Sequence, residues 1–137
     1  MKIFTYVGKS INSGFYAGSL LIGDQDQEYF CKVSYLNTKS EQAASLMAIK
    51  RALIFRENNT PIYTIEGPYV YTQANFQDLR NDEICNHYIY LPAQVKSKPV
   101  TDKEKYFMQV IRTQVEIKLR NESLRNEISK SLKTNEI

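Results

Sequence analysis

Ala44-Ser45-Leu46-Met47-Ala48-Ile49-Lys50-Arg51-Ala52-Leu53 is the stretch that decides the fold class. With Ala43 and Ile54 it sets apolar side chains at helical spacing, and Thr38 and Ser40 upstream carry oxygens that can cap a first turn. The spacing predicts a helix that runs to about Phe55, where Glu57-Asn58-Asn59-Thr60-Pro61 stops it. Everything before this helix reads as strand. Lys2–Lys9 alternates at period two, Asn12-Ser13-Gly14 punctuates, and Phe15–Gly23 is rich in aromatic and branched residues, which makes a hairpin. After the polar turn Gly23–Gln27, the residues Tyr29, Cys31, Val33 and Tyr35 alternate within a third strand, Glu28–Leu36.

After the helix, the short run Ile62–Ile65 ends at Gly67-Pro68 and leads into a short helix over Tyr69–Arg80, a βα unit. His87–Leu91 reads as a fifth strand and Pro92–Pro99 as a loop. Thr101-Asp102-Lys103-Glu104 then matches a capping box, in which the Thr side chain and the Glu satisfy each other's free amides. In the helix that follows, Phe107, Val110, Ile111 and Val115 can face a core. The order is α+β: three antiparallel strands and then βα units in one mixed five-stranded sheet, with helices on both faces as three layers and an extended C-terminal helix.

A chain of 137 residues, 42% hydrophobic and 24% charged, suits one domain with its own core. Apolar runs such as 19–22 and 52–55 are far short of the ~20 residues that cross a bilayer, so no membrane is expected as a partner. The first residues read as a strand and not as a leader, which argues against secretion and for a cytoplasmic location. Cys31 and Cys85, the only cysteines, read as buried reduced thiols. With the sole histidine, His87, they cannot complete a four-ligand zinc site, and no cofactor is expected. His87 reads as a packed strand residue, since no Ser-His or Cys-His pair accompanies it.

Charge is uneven. Residues 1–95 hold 8 Lys/Arg against 9 Asp/Glu, and residues 96–137 hold 10 against 6, so attraction for a polyanion must come from the C-terminal third. Tyr69, Tyr71, Phe76, Tyr88 and Tyr90 interleave polar residues and suit either base stacking or ordinary sheet packing.

Element order and local sequence together resemble the ribonuclease H family over about residues 1–115. Ile3-Phe4-Thr5 resembles that family's first strand, and Phe15-Tyr16-Ala17-Gly18-Ser19-Leu20-Leu21 its second. Ala44–Leu53 follows its first helix almost position for position, and Glu66-Gly67-Pro68-Tyr69-Val70 looks like the motif that closes its fourth strand. The resemblance implies a nuclease whose carboxylates hold two divalent ions. At the four carboxylate positions this chain has Tyr6, Ser45, Glu66 and Tyr106. One Glu cannot hold two Mg²⁺ ions, and a neutral phenol cannot replace a carboxylate. The family's histidine before the final helix also has no counterpart in Pro92–Pro99.

The expectation is therefore a catalytically inactive ribonuclease H-like domain that binds RNA, DNA, an RNA–DNA hybrid, or a protein that processes them. Lys96, Lys98, Lys103, Lys105 and Arg112 bracket the entry to the last helix and are the expected phosphate contacts. The alternative is a divergent Mg²⁺-dependent nuclease using Glu66 with Glu41 or Asp102. Glu41 also suits the first turn of a helix, and Asp102 a capping box. The expected domain is residues 1–118, and residues 119–137 read as a helical extension or flexible tail, with removal of residues 121–137 expected to leave the melting transition nearly unchanged. Leu124, Ile128 and Leu132 share one face there and suit a protein partner or a second copy.

Overall fold

The computed structural model describes residues 1–38, 40–54, 60–65 and 95–135. Strands β1 (Lys2–Lys9), β2 (Phe15–Ile22) and β3 (Glu28–Leu36) precede helix α1 (Glu41–Ile54). Strands β4 (Ile62–Thr64) and β5 (Val95–Lys96) and helix α2 (Asp102–Asn135) follow. The sheet order is β3-β2-β1-β4-β5. β1 and β2 pair antiparallel with Lys2 opposite Ile22, β2 and β3 antiparallel with Phe15 opposite Leu36, and β1 and β4 parallel with Ile3 opposite Ile62. The mixed five-stranded sheet is thus as expected, with the first strand at its centre.

Period-two alternation sends successive side chains of β1 to opposite faces. Ile3 packs with Ile49, Ala52, Ile62 and Val95, while Val7 joins Phe15, Ala17, Leu36, Ala44, Met47 and Ala48, so α1 covers this face. Phe4 joins Leu20, Ile22, Tyr63, Met108 and Ile111 beneath α2 on the other. The Phe4 ring stacks on Tyr63 with centroids 5.1 Å apart. Ile111 and Val115 are fully buried, each worth roughly 2 kcal/mol of transfer free energy. The helix comes this close because Gly18 has no side chain: a Cβ there would sit 2.7 Å from Cδ1 of Ile111.

Two expectations are corrected. The fifth strand is Val95–Lys96, inside the stretch expected to be a loop, and it pairs parallel to β4 with Ile62 opposite Val95. Helix α2 runs unbroken through residue 118 to Asn135, the helical form of the expected extension, because the side beyond it still packs: Leu119 lies over Gly8 and Glu122 is buried. Cys31 is exposed. It shares the α2-side face of β3 with Tyr29 and Tyr35, which are 60% and 45% exposed, because α2 lies over β1 and β2 and leaves this edge largely uncovered. Cys85, His87–Leu91 and the helix expected over Tyr69–Arg80 lie outside the described residues, as do Tyr69, Tyr71, Phe76, Tyr88 and Tyr90. Among the described residues no helix is long and apolar enough to cross a membrane.

Candidate nucleic-acid interface

The entry to α2 is built by the capping box read from sequence. The Glu104 amide donates to Thr101 Oγ1 at 3.2 Å, and the Thr101 amide donates back to Glu104 Oε1 at 3.1 Å. Val100 adds a second amide to the same oxygen at 3.2 Å, and Lys2 Nζ lies 3.5 Å from Glu104 Oε2. The Tyr63 hydroxyl also interacts with this carboxylate. One buried Glu thereby ties α2 to its own approach loop, to β4 and to β1.

Burial alone would raise the Glu104 pKa, but the Tyr63 hydroxyl, the two amides and Lys2 overcome it and hold the carboxyl at about 2. Tyr63 moves the other way, to about 12, through burial first and then its bond to Glu104. A folded-state pKa below the unfolded one contributes stability present above about pH 4.5 and lost as pH falls toward 2. Glu104→Gln keeps the capping geometry and removes the charge. It is expected to cost roughly 2 kcal/mol at pH 7 in urea unfolding and almost nothing near pH 2, less than full linkage because exposed Lys2 is screened. An equal loss at both pH values would contradict this account.

The loop held by Glu104 forms one wall of a cleft of about 260 Å³ lined by Ile65, Lys98, Pro99, Lys105, Met108, Gln109 and Arg112. Lys105 and Arg112 stand two turns apart on one face of α2, and Lys98 approaches from the loop. Arg112 Nε bonds Glu116 Oε1 at 2.9 Å, and its guanidinium carbon lies 5.7 Å from the centre of the Tyr6 ring. That leaves its terminal nitrogens as further donors. The structure therefore joins three of the five expected phosphate contacts. Lys103 is turned away to Asp26 Oδ2 at 2.6 Å, and Lys96 lies over the Tyr63 ring at 5.9 Å without lining the cleft. Met108 and Gln109 were not foreseen, since nothing in their spacing separates cleft positions from the rest of an amphipathic helix.

The positions at which the ribonuclease H resemblance implies carboxylates do not converge. Tyr6 packs on the α2 side of the sheet, Ser45 sits in α1 on the opposite side, and Tyr106 is 64% exposed. The Ser45 hydroxyl is buried without a hydrogen-bond partner. Glu66 lies outside the described residues. Glu41 and Asp102 are exposed first-turn residues of the two helices. Among the described residues no three or more His, Cys, Asp or Glu side chains are grouped to hold a metal ion. Comparison with protein-family models, with curated proteins and with solved structures returns no match.

Proposed function

We propose that this chain is a catalytically inactive ribonuclease H-like domain that binds nucleic acid, with Lys98, Lys105 and Arg112 as its phosphate contacts. The observation that carries the reading is the convergence of these three cations on one cleft, which no carboxylate lines among the described residues. A backbone phosphate seated between an ammonium and a guanidinium makes charge-assisted hydrogen bonds, and its neighbours meet the second ammonium. Inactivity is supported by Tyr6 and Ser45, neither of which is a carboxylate and which stand on opposite sides of the sheet.

Three phosphate contacts release three sets of counterions. Fluorescence anisotropy of a labelled oligonucleotide is expected to give a slope of log affinity against log salt of about −2.7 on duplex DNA and about −2.1 on a single strand. Lys98→Ala, Lys105→Ala and Arg112→Ala should each shallow that slope by about one contact, with Lys118→Ala unchanged. Binding that ignores salt, or is undetectable on RNA, DNA and hybrid alike, would point instead to a protein partner. Incubation of a labelled hybrid with Mg²⁺ or Mn²⁺ tests the inactivity: metal-dependent turnover abolished by Glu66→Gln would refute it.

A further inference from the structure

A second cavity lies on the other face of the sheet and is larger, about 400 Å³, within the range of small-ligand sites. Register builds it. Ser19 of β2 stands opposite Lys32 of β3, and Ala17 opposite Ser34, so these four residues form a floor on the α1 side, with Phe30 two residues along β3 from Lys32. Ala48 and Arg51 of α1 form the wall.

The chemistry of this lining is one-sided. Among the described residues it offers an ammonium, a half-buried guanidinium, two hydroxyls and one aromatic ring, and no carboxylate. Among the described residues neither Lys32 nor Arg51 has an acidic partner. Two like charges around one cavity repel each other unless an anion is shared between them. Arg51 closes α1, where a cation complements the helix end, and Lys32, exposed on the edge strand β3, lines the same cavity.

We infer that this cavity binds a small phosphate monoester carrying a planar ring, of the nucleoside monophosphate class. Lys32 and Arg51 share the phosphate, Ser19 and Ser34 donate to its remaining oxygens, and the ring lies against Phe30. Two cations match a phosphate dianion better than the single charge of a carboxylate, and the guanidinium fork fits its oxygens bidentately. The site is independent of the Lys98–Lys105–Arg112 cleft, from which the sheet separates it.

Calorimetric titration of the full chain with adenosine monophosphate tests this. Saturable binding is expected, with adenosine and inorganic phosphate each weaker by at least about tenfold, the value of one charge-assisted contact. Lys32→Ala and Arg51→Ala should each lower affinity about tenfold, and Lys105→Ala should leave it unchanged. In amide NMR spectra of the unmodified chain, the nucleotide should shift Ser19, Lys32 and Ser34, a readout that needs no variant to fold. The proposal falls if binding is absent, if Lys32→Ala and Arg51→Ala leave it unaltered, or if Lys105→Ala abolishes it. Inorganic phosphate binding as tightly as the nucleotide would remove the ring from the site.

Discussion

Replacing Glu122 by alanine is expected to lower the stability of this chain by about 3 kcal/mol, a fall of about 10 °C in melting temperature. Its side chain is buried and accepts from Ser10 Oγ at 2.6 Å, from the Ile11 amide at 2.8 Å and from the Tyr16 hydroxyl at 2.7 Å. Desolvation opposes the charge, but these donors prevail and hold its pKa below the usual carboxylate range. Alanine would leave the buried Ser10 hydroxyl and the part-buried Ile11 amide and Tyr16 hydroxyl without their acceptor, and an unmet buried donor costs more than its bond contributes. Because the folded pKa is depressed, this stabilisation is present above the unfolded value and is lost as the solution is acidified through the folded one. The same contact governs truncation. Deleting residues 121–137 should destabilise the chain at least as much as Glu122→Ala, whereas deleting 128–137 removes the exposed Ile128 and Leu132 and should leave the melting transition almost unmoved. Thermal melts of the three chains followed by circular dichroism decide this, and equal transitions for both truncations would contradict it.

Gly14→Ala is expected to be the costliest single methyl addition, at about 3 to 4 kcal/mol. Gly14 closes the β1–β2 hairpin at φ 77, in the left-handed region, and its carbonyl accepts the Ser10 amide at 3.0 Å. An L side chain there costs about 1 to 2 kcal/mol before any contact is counted. The added Cβ would also lie 2.5 Å from the Leu36 carbonyl oxygen, backbone that cannot rotate aside, and 2.6 Å from the Tyr35 hydroxyl, which donates to the Ser13 carbonyl. The residue before and the strand beyond would have to shift together. Guanidinium unfolding of the variant measures the loss, and a change under about 1 kcal/mol would show that the turn relaxes freely. Because Ser10 also bonds Glu122, a double variant with Glu122→Ala should cost less than the sum of the two.

The fold was legible where the pattern is set by one residue and its immediate neighbours. Alternation delimits β1 to β3, the apolar spacing of Ala43–Ile49 delimits α1, and Thr101 with Glu104 marks the start of α2 to the residue. The misses share a cause: each depends on a partner far along the chain. Val95–Lys96 is too short to alternate and is a strand only because Ile62 lies beside it. Glu122 reads as one more polar residue of a surface helix until Ser10 and Tyr16 are brought against it. Cys31 alternates like a buried residue, yet the face it shares has little of α2 above it. In the candidate site, Lys105 and Arg112 were legible from their separation of seven, and Lys98 from its place in the loop. Lys103 stands apart from them because Asp26, in the turn between β2 and β3, draws it away.

The central place of β1 has a consequence during synthesis. A ribosome delivers β1, β2 and β3 first, and the meander can pair as soon as it clears the exit tunnel. Its α1 face is covered within a few tens of residues, but Phe4, Leu20 and Ile22 wait for Met108 and Ile111. The hairpin waits longer still, for Glu122. At about 5 to 20 residues per second, the roughly 100 residues between Ile22 and Glu122 take about 5 to 20 s to arrive. For that interval a nascent sheet displays a full apolar face, and its Ile3 edge lacks the strand that will pair with it until Ile62 emerges. The bonds that fasten the hairpin to α2 form after the strands are in place, so a chain stalled before Glu122 is exposed to chaperones and proteases.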